Sequence, residues 1–382
     1  MLAVMYNKNM PVAQVEIVNG KVTKICEKIN PQYLPISLLD NLTTESLNSW
    51  IFKRRLPADR EGMENIARNF EYFKGYPEFD RYGCMFSLSD QYWFRYEKSQ
   101  SWENMNFFTN RYPDDVGRLF FYPWELEKDH IFGESPDLTT NGLLRKRWKQ
   151  DENGDSYLIK AGSKRLRQEP ISEVLATILL RKLEIIPYVE YELTVEGMRL
   201  CSKCKNFVTK DTEFVPAGYI YFREKRREDE TIYQHLLRMC SVYGIYDAKK
   251  YIDNMIAVDR IIGNEDRHLG NFGFIRDVTS LKITGFAPLF DSGYSFVPNG
   301  HLPKDKRIIF DEELKVEALS SAIRKVNMKK LMDHEEMFTL IEVYPELNKE
   351  EKDHIKNRIL ASEKEIARLA HDDRRFIRPS VR

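Results

Sequence analysis

The run Gly263-Asn264-Glu265-Asp266-Arg267-His268-Leu269-Gly270-Asn271-Phe272-Gly273, followed by Ala287-Pro288-Leu289-Phe290-Asp291-Ser292-Gly293, constrains this chain more than any other feature. It sets an Asp, an Asn five residues later, and a second Asp after a short strand-like stretch. Taken singly, each is an ordinary turn residue that satisfies nearby backbone amides. Taken together, they match a chemical need. Phosphoryl transfer to a hydroxyl requires one carboxylate to orient the nucleophile and oxygen ligands to hold magnesium on the nucleotide phosphates. Asp266 is expected to be the catalytic base, with Asn271 and Asp291 as magnesium ligands.

Upstream residues supply the remaining parts in the order protein kinases use. The apolar strand Tyr157-Leu158-Ile159-Lys160-Ala161 carries a Lys near its end. Pro170 opens a helix through Leu183, and Glu173 falls in its first turn. A strand Lys can reach the α- and β-phosphates, and a helix Glu can hold it there. The bland reading is a solvated Lys and a Glu favoured by the helix dipole; the downstream motif favours the functional one. Between 139 and 146 lies Thr139-Thr140-Asn141-Gly142-Leu143-Leu144-Arg145-Lys146, a loop placed to cover the phosphates. Its one glycine makes it no G-x-G-x-x-G loop. Asp259 falls on an apolar helix face with Ile252, Met255 and Ile262. A buried Asp needs a partner, and Arg267 and His268 are the nearest candidates.

A chain of 382 residues can build two or three substructures around a full core. Lys plus Arg equals Asp plus Glu at 59 each, which argues against a broadly nucleic-acid-coating protein. No apolar run reaches the roughly 20 residues that span a bilayer. The start, Met1-Leu2-Ala3-Val4-Met5-Tyr6-Asn7-Lys8, lacks the basic-then-apolar pattern of a signal peptide, and an odd set of five cysteines with one close pair suits a reducing compartment, so a cytoplasmic location is expected. Cys201-Ser202-Lys203-Cys204 has no second pair and no His at ligand spacing, with His235 the nearest; a structural role is expected.

Along the chain, Asn19-Gly20 between two alternating segments predicts a hairpin. Helices are expected near 43–53 and 59–73, short strands within the aromatic-rich 76–112, a turn at 151–155, and strands near 186–195 and 214–222. Beyond about 230 the pattern turns helical, at 247–262 and over 311–370. The layout is α+β: a bilobal protein-kinase-like fold with an appended N-terminal α/β subdomain and a mostly helical C-terminal lobe. Expected boundaries are 1–125 for the N-terminal subdomain, 126–225 for the lobe with phosphate loop and nucleotide lysine, and 226–382 for the helical lobe.

At Gly263-Asn264-Glu265-Asp266-Arg267-His268 with Asn271, at Ala287-Pro288-Leu289-Phe290-Asp291, and at Tyr157-Leu158-Ile159-Lys160, the chain resembles the HipA-like kinases, bacterial serine/threonine kinases known as toxins of toxin–antitoxin pairs. Leu56-Pro57-Ala58-Asp59-Arg60 is similar to the family's N-terminal subdomain. The resemblance implies Asp266 as base, Asn271 and Asp291 as magnesium ligands, and Lys160 as nucleotide lysine. His268 matches the family's loop histidine, a structural position grouped with the cofactor-binding set. Thr139, Gly142 and Lys146 fit the spacing of its phosphate loop, whose serine family members can autophosphorylate. The Asp-Arg-His-x-x-Asn string also resembles phosphoinositide 3- and 4-kinases, which the length and N-terminal half fit poorly. The expectation is an ATP- and Mg2+-dependent serine/threonine kinase acting on a protein, with a helix-turn-helix antitoxin as partner and nucleic acid met only indirectly. The rivals are a small-molecule or phosphoinositide kinase, and a catalytically vestigial kinase fold that binds a helix-turn-helix partner.

Overall fold

A computed structural model of the chain describes residues 1–70, 73, 84–127, 130, 132–164, 167–297, 310–324, 331 and 333–376, with side chains described as far as 370. Two compact units divide it. The first comprises Met1–Ser163, Thr194–Val215 and Phe274–Thr284; the second comprises Lys164–Leu193, Pro216–Gly273 and Gly285–Arg382.

In the first unit, β1 (Leu2–Asn7), β2 (Met10–Val18), β3 (Lys21–Lys28) and β4 (Tyr92–Arg95) form an antiparallel sheet in the order β3-β2-β1-β4. The hairpin falls where expected. Asn19 and Gly20 both take positive φ, 48° and 67°, the conformation a two-residue turn with the right twist requires. Helix α1 (Thr44–Arg54) starts at a reciprocal cap between Thr43 and Ser46. Helix α2 (Met63–Asn69) is shorter than the expected 59–73, because left-handed Gly62 at φ 95° begins it and extended Phe70 ends it. In the aromatic-rich stretch, 76–83 lies outside the described residues. The rest holds β4 and the short helix α3 (Trp102–Met105), and α4 (Asp115–Arg118) follows it. Its Phe86, Trp93, Trp102 and Phe107 pack in one core with Tyr6 and Trp148.

A second sheet runs β5-β6-β8-β7, from β5 (Lys146–Gln150), β6 (Ser156–Ala161), β7 (Tyr191–Glu196) and β8 (Arg199–Lys205). The turn at 151–155 joins β5 to β6, with Gly154 at φ 88°. The Cys-x-x-Cys segment is part of strand β8, and residues three apart on a strand point to opposite faces. Cys201 and Cys204 are both buried and point to opposite faces, so they share neither a disulfide nor a metal ion with each other.

The second unit is mostly helical. Helix α5 (Glu169–Leu183) has Pro170 in its first turn and ends at left-handed Glu184. The strand expected over 214–222 is corrected: β9 (Thr212–Pro216) stops at the proline, which has no N–H for a ladder, and α6 (Ala217–Tyr221) follows. Then come α7 (Ile232–Val242), α8 (Ala248–Ile262), β10 (Gly273–Asp277), β11 (Ile283–Phe286), α9 (Glu312–Ile323), α10 (Glu335–Val343) and α11 (Lys349–Phe376). Strands β11-β10-β9 form a small sheet, of which 212–215, 274–277 and 283–284 belong to the first unit. Among the described residues no helix is long and apolar enough to cross a membrane.

Candidate active site

Helix α8 buries Ile252, Met255, Ile256 and Ile262, and Gly263 terminates it in the left-handed conformation. The loop that follows carries Asp266, His268 and Asn271. It is braced from beneath by Asp259, the last polar residue on the buried face of α8. Arg267, 3% exposed, meets that carboxylate with two nitrogens: Nε donates to Oδ2 at 2.9 Å and Nη2 to Oδ1 at 2.8 Å. Between the two partners the sequence left open, the structure selects Arg267. Asn264 adds a third bond, Nδ2 to Asp259 Oδ1 at 3.0 Å, and its own Oδ1 accepts from the Asp266 N–H at 3.2 Å. Burial works against the charge on Arg267, but the Asp259 carboxylate more than restores it and holds its pKa above the ordinary arginine value.

Arg267 does more than neutralise Asp259. Its Nη1 donates to Asn271 O at 2.9 Å and to Phe290 O at 2.6 Å. One nitrogen therefore ties the Asn271 backbone to the residue preceding Asp291. Asn271 closes its own loop, with its N–H donating to His268 O at 2.9 Å and its Nδ2 to Asp266 O at 3.5 Å. His268 is half-buried, and its Nδ1 accepts from the Gly270 N–H at 3.0 Å, which shapes the turn.

Asp291 sits at φ 59°, a left-handed backbone that Asp tolerates better than most residues. Its neighbours hold it there. Leu289 N donates to Pro187 O at 2.8 Å, Val189 N to Leu289 O at 2.9 Å, and Asp291 N to the Tyr191 hydroxyl at 3.3 Å. Glu173, buried on α5, accepts from the Ser292 N–H at 3.0 Å. A Cβ at Gly293 would lie 3.6 Å from Glu173 Oε1. Glu173 thus supports the Asp291 turn, a contact that sequence spacing did not suggest.

The first unit holds the remaining candidates. Lys146 on β5 and Lys160 on β6 are direct cross-strand partners, and Lys160 also faces Ser202 on β8. Directly opposed residues share a face of the sheet. This face therefore carries two lysines and a serine in one row. Ser202 is 1% exposed, and among the described residues its hydroxyl has no hydrogen-bond partner.

Gly142 lies close to the Lys146 ammonium at φ 103°. Glycine gives the loop this left-handed backbone without strain. Thr139 is the last residue of a buried turn, residues Pro136–Thr139, and its hydroxyl donates to Phe86 O at 2.6 Å. Phosphate at that oxygen therefore requires the loop to leave its seat.

No protein-family model and no curated protein matches this chain. Among solved structures, HipA of Shewanella oneidensis MR-1, from a toxin–antitoxin complex with HipB and operator DNA, aligns over 96% of this chain and 97% of its own. The identity is 13% and the TM-score 0.57. The Helicobacter pylori proinflammatory kinase CtkA aligns over 60% of this chain and 93% of its own, at 19% identity and a TM-score of 0.47. The chain therefore shares the fold of HipA, the fold that its resemblance to the HipA-like kinases implies.

Proposed function

We propose that this chain is an ATP- and magnesium-dependent serine/threonine protein kinase of HipA type, working in the cytoplasm as a toxin or regulator. The observation that carries the reading is the shared grip of Arg267 Nη1 on Asn271 O and Phe290 O. It holds the amide of Asn271 and the carboxylate of Asp291 on adjoining backbone, with Asp266 on the same loop. The donor set fits magnesium. One carboxylate and one amide oxygen are hard ligands, and magnesium commonly takes one or two protein oxygens and completes its shell with phosphates and water.

In this reading Asp266 accepts a hydrogen bond from the attacking hydroxyl and then its proton, as the oxygen bonds to the γ-phosphorus and the bond to ADP breaks. Asn271 and Asp291 would hold the metal, which would supply positive charge against the nucleotide phosphates. Lys146 and Lys160 face the phosphates from the sheet, and Gly142 lets the loop close over them. Glu173 keeps the Asp291 turn in place, and His268 shapes the loop between base and metal ligand. The domain reading of 1–125, 126–225 and 226–382 belongs to the same proposal. So does a helix-turn-helix partner, a reading supported by the complex in which HipA of Shewanella is found.

The test is transfer of label from γ-labelled ATP in a cell lysate, with parallel panels of lipids and aminoglycosides. The account expects label on Ser or Thr of a protein band. Label on lipid or small molecule alone would replace the substrate class, and ATP binding without turnover would make the fold a binding module.

A further inference from the structure

Residues 56–62, which the site does not absorb, run directly against the loop that carries Thr139, Gly142 and Lys146. Leu56 N donates to Leu138 O at 2.8 Å, and Glu61 N donates to Leu143 O at 2.8 Å. Between these two bonds Arg60, 2% exposed, donates from Nε to Gly142 O at 3.0 Å and from Nη2 to Thr140 O. The guanidinium also sits over the Phe120 ring, 5.4 Å from its centroid. Arg145 closes the loop's far end, donating from Nε to Glu61 Oε1 at 3.2 Å and from Nη1 to Phe120 O at 2.6 Å. Gly62 leaves room for this, since a Cβ there would lie 3.0 Å from the Arg145 guanidinium carbon.

Four loop carbonyls, those of Leu138, Thr140, Gly142 and Leu143, thus accept from one segment. In a trans peptide the N–H points opposite to the C=O. Each grip therefore turns the next residue's amide away from its donor, and these are the amides of 139, 141, 143 and 144. Those of 143 and 144 are consecutive, and consecutive amides on a fixed loop form an anion-binding concavity. Arg60 contributes two of the four grips, and both are charge-assisted bonds from a planar fork that lysine cannot reproduce.

We propose that Arg60 is the positioning residue of the phosphate loop, holding it in the shape that receives the nucleotide phosphates. The proposal rests on the kinase reading for its ligand, and on hydrogen bonds alone for its geometry. Arg60 touches neither nucleotide nor substrate. It acts by fixing two carbonyls, so its loss frees the loop without removing any reacting group.

The experiment compares wild type, Arg60→Ala and Arg60→Lys in the full chain. Amide hydrogen exchange over 138–146 is measured without ligand, and MgATP KM and kcat are measured alongside. Arg60→Ala is expected to speed exchange in that segment at least about tenfold while exchange in α8 stays as in wild type, the pattern of local opening. KM should rise about tenfold, with kcat changed far less, the mark of lost ground-state binding. Arg60→Lys, able to grip one carbonyl, should fall between. If Arg60→Ala does not fold, the intermediate behaviour of Arg60→Lys carries the test. Wild-type exchange over 138–146 in a folded Arg60 variant overturns the proposal. Exchange that rises in a protein that binds no MgATP upholds the clamp and sinks the kinase reading, so the two failures are distinguishable.

Discussion

The loop proposed as catalytic and the loop proposed to receive phosphate are held in different ways. The catalytic loop is braced by its own neighbourhood: Arg267 reaches Asp259 eight residues back and Asn271 four residues on. The brace is an ion pair, with a carboxylate and a guanidinium buried together. The phosphate loop is held by a stranger. Arg60 lies 80 residues from Thr140 and 82 from Gly142, and these two bonds go to backbone carbonyls, whereas Arg267 adds two carbonyls to a carboxylate. The first arrangement ties the loop to the stability of helix α8. On the Arg60 proposal, the second lets a loop loosen while the core stays intact.

That contrast orders the predicted effects. Removing the reacting group should be the largest. Asp266→Ala is expected to lower turnover by about 10²–10⁴-fold, the usual worth of a positioned acid–base group, while the protein folds and binds MgATP. Near-wild-type turnover would take Asp266 out of the chemistry. Next comes the local brace. Asp259→Ala leaves Arg267 buried and uncompensated, at a cost on the order of 3–5 kcal/mol. A melting temperature well below wild type, together with lost activity, is expected. An unchanged melting temperature would show that the catalytic loop is held in some other way and would erase the contrast with Arg60.

The smallest effect is electrostatic and belongs to the phosphate-loop side. Asp137 is fully buried beneath the turn, where its Oδ1 accepts from the Trp148 N–H at 2.9 Å and Ser135 Oγ lies 3.3 Å from its Oδ2. Burial pushes its carboxyl up to about 7, although the Trp148 N–H, Arg147, Arg60 and Ser135 pull the other way. Between about pH 4 and 7 the folded protein thus keeps a proton that the unfolded chain has released, and stability from this group falls as pH rises through that window. Urea unfolding at pH 5 and pH 8 should show wild type losing on the order of 1–3 kcal/mol more than Asp137→Asn. Parallel losses in the two proteins would mean that Asp137 titrates normally.

The same contrast explains what could be read from the residues. The Asn19-Gly20 hairpin, the helix opened by Pro170 and the helix ending at Gly263 rest on local rules, and the structure has all three. The Asp259 brace was equally accessible, because an Asp on an apolar helix face demands a partner close in sequence. Strand β8 was hidden because its Cys-x-x-Cys drew attention to chemistry when its residues were only alternating across a sheet. Helix α6 was missed because Pro216 looks like a strand residue until the ladder runs out of N–H groups. The role of Glu173 beneath Ser292, and that of Arg60 beneath the loop, leave no local pattern, since each partner lies about 80 or more residues away.

The central claim, that Asp291 and Asn271 hold magnesium against a nucleotide, is tested most directly by calorimetric titration of ATP into wild type and Asp291→Asn, with and without magnesium. An amide is a poorer ligand for a hard cation than a carboxylate. The account predicts that wild-type affinity depends on magnesium, and that Asp291→Asn loses most of that dependence while remaining folded. Equal affinities in the two proteins, or wild-type binding indifferent to magnesium, would contradict it.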